Sequence, residues 1–205
     1  MGEVGRLYRF RRPRCNYCVK LIKKGEEMTM ILGLKNDEIR LEKYTDKWHD
    51  EFIKIKNELL KLTQLEENRI EHIGSTSIKG MSAKPILDIV VGVANLKTVD
   101  EELFNSFRKA GFLRLRVEKP NEIVLAKFTD EKYQVKTHFI HLVEYQQDIW
   151  NNLIFFRDYL NSNEEARKEY LDIKTFYLKN TSSGINEYTD FKEDFVKSIY
   201  NKRTN

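Results

Sequence analysis

Of 205 residues only Cys15 and Cys18 are cysteines, and none follows position 18. A disulfide framework is therefore excluded from the body of the chain, and a reducing, cytoplasmic compartment is the expectation. Long apolar runs are missing too. Nothing approaches the ~20 consecutive apolar residues that span a bilayer, so no membrane partner is expected. The basic amino-terminal stretch lacks both an apolar core and a small-residue cleavage site, and no secretory signal is expected there. Nor is there a strong excess of one charge: 36 Lys and Arg oppose 32 Asp and Glu, a net +4. A general nucleic-acid binder would carry a larger or more clustered surplus, which makes that class the weakest. What remains is 40% hydrophobic and 33% charged, the balance of a globular chain with room for one full core or a domain plus an appendage.

Residues 1–36 read differently from the rest. Their Arg and Lys residues are scattered without periodicity, and Cys15-Asn16-Tyr17-Cys18 has the spacing of half a zinc site. Two further ligands would be needed, and the nearest histidine, His49, falls in an amphipathic helix pattern. Lys24-Gly25-Glu26-Glu27 can be encoded by a purine-rich stretch like a bacterial ribosome-binding site, so translation is expected to start at Met28 or Met30.

From residue 38 the pattern becomes regular. Residues 38–44 alternate apolar and charged, as an edge strand would. Thr45 or Asp46 caps a helix to about Leu65, with Trp48, Phe52, Ile55, Leu59 and Leu62 on one stripe. Strands are predicted at about 69–73 and 86–92, then a helix from Thr98 or Asp100 that Gly111 ends. Residues 112–117, 122–128 and 133–143 read as an antiparallel meander. Three helices follow, from Gln147, from the Asn161–Glu165 cap and from about Tyr188. The prediction is one α/β (α+β) domain with a helical carboxy-terminal segment.

Chemistry concentrates between the first two strands. Gly74-Ser75, with Thr76 and Ser77, forms a small-residue turn whose N–H groups and hydroxyls could hold an anion. An ordinary turn with Ser as cap would look the same. Asp88 interrupts the apolar run Ile86–Val91 and needs a compensating metal, cation or hydrogen bonds. Lys79 and Lys84 stand between them, Lys84 at the mouth of the strand before Pro85. His138 and His141 are three apart, so a straight strand points them to opposite faces, and only one could serve as ligand or acid–base group. His72 reads as structural. Arg157-Asp158 and Lys174 matter only if their helices fold over Asp88.

With these residues in view, EHIGSTSIKGMSAKPILDIVVGV resembles the signature of the GrpB family of bacterial proteins, a branch of the nucleotidyltransferase superfamily. THFIHLV is similar to the family's second block, and FFRDYL, EYLDIK and YTDFK resemble its carboxy-terminal helices. The resemblance runs from about 38 to 200. It implies a domain over 37–202 with a nucleotidyltransferase-like mixed sheet flanked by helices, and leaves 1–36 as an extension outside the family pattern. The implied activity is transfer of a nucleotidyl group from an NTP to a small molecule. In that reading Ser75 and the loop amides hold phosphates, Asp88 holds Mg²⁺ or Mn²⁺, Lys84 offsets charge, and His138 or His141 serves as ligand or base. This chain departs from the pattern at Ile78-Lys79-Gly80, where the family has Val-Pro-Gly, and at Val90, where a second acid would stand. Two-metal chemistry needs several carboxylates. The alternative is a non-catalytic module that binds a nucleotide or phosphorylated metabolite through the same loop, Lys84, Arg157 and Lys174.

Overall fold

A computed structural model describes residues 32–35, 38, 40–117, 119–180 and 185–203. Cys15, Cys18, Met28, Met30 and residues 181–184 lie outside the described residues, as do the side chains of 179–180 and 185–191. The elements run β1 (Leu34–Lys35), α1 (Lys47–Thr63), β2 (Ile70–Ile73), β3 (Leu87–Val93), α2 (Glu101–Lys109), β4 (Phe112–Arg114), β5 (Ile123–Phe128), β6 (Val135–Glu144), α3 (Asp148–Ser162), α4 (Glu164–Asn180) and α5 (Ile185–Asn201). Among the described residues no helix is long and apolar enough to cross a membrane.

The sheet order is β2-β3-β6-β5-β4, with β1 pairing the start of β6. The predicted meander is present as β4-β5-β6, all antiparallel. What periodicity alone does not reveal is that β6 returns to lie parallel to β3, pairing Leu87 with His138 and Val90 with His141. The sheet is therefore mixed, and β3 is buried on both faces apart from Asp88, which is why its sequence reads as a nearly unbroken apolar run.

Alternation divides the sheet into two faces. On one, Ile70, Leu87, Ile89, Val91, Leu125, Ile140 and Leu142 pack against Trp48, Phe52, Ile55 and Leu59 of α1 and Phe107 of α2. The predicted stripe of α1 is thus core, with Leu62 partly buried at its margin. On the other face, Ile73, Val90 and Val143 meet Trp150 of α3. Beyond them α3, α4 and α5 build a second core from Phe156, Leu160, Tyr170, Phe195 and Ile199, into which Ile78 and Met81 of the loop after β2 insert. The loop is pinned between sheet and helices by its own apolar residues.

Among the described residues of 38–44 the predicted strand is absent. One bridge, Glu42 to Ala83, is made there, and the strand lies earlier, at Leu34–Lys35. The alternating charges serve ion pairing along an extended segment instead: Arg40 reaches Glu38 at 3.1 Å and Glu42 at 2.8 Å. Helix starts follow the predicted chemistry more closely. Asp100 accepts from Leu103 N at 2.9 Å and Asn163 from Ala166 N at 2.9 Å, whereas Asp46 makes no cap bond and accepts instead from the Tyr44 hydroxyl.

Candidate anion site at the Gly74–Ser75 turn

At the end of β2, Ile73 pairs across the sheet with Asp88, so the chain that follows must turn directly over that carboxylate. Gly74 does so with φ of +69°, and a Cβ there would collide with Asp88 Oδ2. Both facts demand glycine. Ser75–Ser77 then form one 3₁₀ turn. Two of its hydroxyls are spent on the turn itself: Thr76 Oγ1 shares a 2.9 Å hydrogen bond with His72 Nε2, and Ser77 Oγ donates to Gly74 O at 2.7 Å. Ser75 is different. Its Oγ accepts from Lys174 Nζ at 3.3 Å, across 99 positions of sequence.

Asp88 sits on the face covered by the carboxy-terminal helices, half-buried, with His141 Nε2 3.7 Å from its Oδ1. The other ring nitrogen of His141 bonds Glu122 Oε1 at 2.5 Å. Burial works to lower the His141 pKa, but hydrogen bonds and charge from Asp88 and Glu122 outweigh it and raise it to about 9. His141 is an imidazolium clamped between two carboxylates. Burial of Glu122 is likewise outweighed, chiefly by His141, and its pKa is lowered. Glu122 is the acid the sequence reading missed. Its signal is alternation with Val124, which pairs with His141, and that becomes visible only once the β5–β6 register is known.

Two lysines, Lys84 and Lys192, feel the same carboxylate, and a third, Lys174, is felt through Lys192. Burial first and Lys192 second lower Lys84 to about 8, with Asp88 opposing them. Burial and then Lys192 bring Lys174 to about 7. Lys192, also lowered by burial and held up by Asp88, comes from α5 and was not singled out from the sequence. Lys174 is 1% exposed, and its second contact is Ser82 O at 2.8 Å.

Two predicted site residues are placed otherwise. His138 faces α1 from the opposite side of the sheet, as the spacing of three requires. Its Nδ1 bonds Thr137 Oγ1 at 2.8 Å, its ring meets Phe112 edge-on, and burial lowers its pKa to about 4. A ligand or base role beside Asp88 is closed to it. Arg157 is on the correct face, but its Nη1 donates to Glu71 at 2.7 Å and to His72 O at 3.0 Å, and its Nε to Asp158 at 2.7 Å. With both acids engaged, it ties α3 to β2 and is not presented as an anion receptor. Lys79 is exposed, with its backbone N–H donating to Asn161.

The donor set does not fit a divalent metal. Val90 is fully buried where a second acid would stand, and His141 holds Glu122 with one ring nitrogen and faces Asp88 with the other. Among the described residues no group of three or more His, Cys, Asp or Glu is placed to hold a metal. Cations of the chain's own, Lys84, Lys192 and His141, already offset the Asp88 charge.

The family model described as GrpB protein matches residues 38–202. Glutamate-rich protein GrpB of Alkalihalophilus pseudofirmus is 40% identical over 173 residues, covering 84% of this chain and 99% of that relative. A segment of a dephospho-CoA kinase of Mycolicibacterium paratuberculosis is 27% identical over 190 residues, which is 80% of this chain but 46% of the kinase. In fold, the crystal structure of conserved protein GrpB from Enterococcus faecalis is similar with a TM-score of 0.67 at 24% identity, covering 80% of this chain and 96% of that one.

Proposed function

The chain belongs to the GrpB family, and from that premise we propose that it binds a phosphate-bearing small molecule, a nucleotide or phosphorylated metabolite, beside the Gly74–Ser75 turn. The observation that carries this reading is the convergence of Lys84, Lys192 and imidazolium His141 on half-buried Asp88, with Lys174 buried against the Ser75 hydroxyl of the adjoining turn. Lysines whose charge is disfavoured by burial and by each other gain most from an arriving polyanion, which restores their protonation. Ser75 Oγ adds a hydroxyl at the same place. A GrpB-like segment within a chain named dephospho-CoA kinase makes dephospho-CoA and adenosine phosphates reasonable first ligands to try.

The test is a thermal-shift panel of nucleotides and dephospho-CoA, each with and without Mg²⁺ or Mn²⁺. A ligand that binds only the folded state raises the melting temperature, by an amount that grows with its concentration over Kd. A shift that needs no metal is expected. Silence across the panel would remove the reading.

A second reading, nucleotidyl transfer from an NTP to a small molecule, is favoured by the Gly-Ser turn seated directly on Asp88. Its signature would be a shift that appears only with Mg²⁺ or Mn²⁺, together with release of pyrophosphate.

A further inference from the structure

We propose that Ser75 is a nucleophile and Lys174 its general base, and that together they accept a phosphoryl or nucleotidyl group onto Ser75 Oγ. The physiological donor rests on the phosphate-site reading above; the dyad itself rests on geometry. Thr76 and Ser77 spend their hydroxyls on the turn, whereas the partly exposed Ser75 hydroxyl meets Lys174 Nζ at 3.3 Å. Gly74, at φ +69°, makes the strand-to-turn corner sharp enough to lift Ser75 out of line with β2.

Lys174 has the surroundings of a base. Among the described residues its polar contacts, Ser75 Oγ and Ser82 O, are neutral oxygens, and the Tyr170 ring centroid lies 4.8 Å from Nζ. An ammonium so buried, with no carboxylate contact among the described residues, is costly, and Lys192 of α5 adds repulsion. The neutral amine can donate one N–H to Ser82 O and turn its lone pair to the Ser75 hydroxyl, the arrangement that activates serine in Ser–Lys pairs. A purely structural tie between α4 and the loop would predict the same contacts and no reactivity.

The Oγ–H proton passes to Lys174 Nζ, the Oγ–P bond forms, and the P–O bond to the leaving group breaks with its electron pair on the departing oxygen: pyrophosphate leaves when a nucleoside triphosphate gives its nucleotidyl group, and the nucleoside diphosphate leaves when it gives its terminal phosphoryl group. A fluorophosphonate probe follows the same course with fluoride as the leaving group. We would treat the intact chain with such a probe and map the adduct by peptide mass spectrometry. The expected result is one adduct, on Ser75, absent from Ser75→Ala and formed on the order of 100-fold more slowly by Lys174→Met. Labelling should quicken as pH rises through about 7, where Lys174 gives up its proton. If Lys174→Met does not fold, that pH profile in the unmodified chain decides. An adduct elsewhere, a flat profile or no adduct overturns the dyad. An adduct on Ser75 without any nucleotide-induced stabilisation keeps the dyad and removes the phosphate-site reading; stabilisation without an adduct does the reverse.

Discussion

His138 and His141 occupy the same strand three residues apart and live in opposite electrostatic worlds. On the α1 face His138 is enclosed by Phe112 and the helix, its Nε2 lacks a hydrogen-bond partner among the described residues, and Glu51 stands off at 3.8 Å. On the other face His141 is held by Glu122 and Asp88. Burial acts on both, so burial alone does not decide the charge of an imidazole. A carboxylate at hydrogen-bond distance does: the second face supplies Glu122 at 2.5 Å with Asp88 at 3.7 Å behind the other ring nitrogen, whereas the first supplies only Glu51 at 3.8 Å.

The strongest way to break this contrast is Glu122→Gln. It removes the nearer carboxylate from a buried ion pair, which costs on the order of 3 kcal/mol, or a fall of roughly 6–12 °C in melting temperature for a chain of this size. Circular dichroism melts would check it, and an unchanged melting temperature would reduce His141 to a neutral packing residue. Asp88→Asn should cost less, a few degrees, because that carboxylate is half-solvated. Metal-independent nucleotide binding should survive the change. Its complete loss would make Asp88 a ligand-binding group and not a structural counter-charge.

Titration sharpens the comparison. The folded-state pKa of His141, raised to about 9, means its contribution is full below pH 6.5 and is lost as pH rises through 9. His138 and His72, both lowered to about 4, take nothing from stability above pH 6.5 and destabilise the fold progressively as pH falls from 6.5 toward 4. Denaturant melts across pH should therefore show stability falling on the acid side, whereas above pH 7 the loss from His141 is opposed by Lys174 and Lys84, whose depressed folded-state pKa values make stability rise with pH. His138→Gln should flatten part of the acid limb, and His141→Gln should make stability rise more steeply between pH 7 and 9. Lys84 and Lys174, at about 8 and 7, should take up protons when a phosphate compound binds, so affinity should weaken as pH rises past 7–8. Calorimetry in buffers of different ionisation enthalpy would read that uptake. The smallest effect is expected at Arg40→Ala, far from either histidine, where loss of partly exposed pairs to Glu38 and Glu42 should cost under about 1 kcal/mol.

The site was only half legible before the fold was known. Gly74, Ser75 and Asp88 announce themselves because a glycine-hydroxyl turn and an acid within an apolar strand are local anomalies. Helix stripes and the meander are legible for the same reason, since each rests on neighbours in sequence. Glu122 and Lys192 carry no such mark. An acid beside a turn and a lysine on an amphipathic helix are ordinary until β6 is laid parallel to β3 and α5 across it. The reverse error has the same origin: Arg157 looked available because the acid that occupies it, Glu71, is 86 positions away. Residues 38–44 misled because alternation of charge with apolar residues serves ion pairs as readily as a sheet ladder.

The long reach from Ser75 to Lys174 has a consequence for the order in which the molecule is made. The turn, β3 and the α1 layer emerge from the ribosome well before α4, so the nascent chain carries the serine long before it meets the lysine. A chain stalled or clipped after β6 could hold a sheet and an Asp88–His141–Glu122 clamp yet have no dyad. Reactivity at Ser75 would therefore report that synthesis has run through α4, and it separates finished molecules from fragments that share most of their fold.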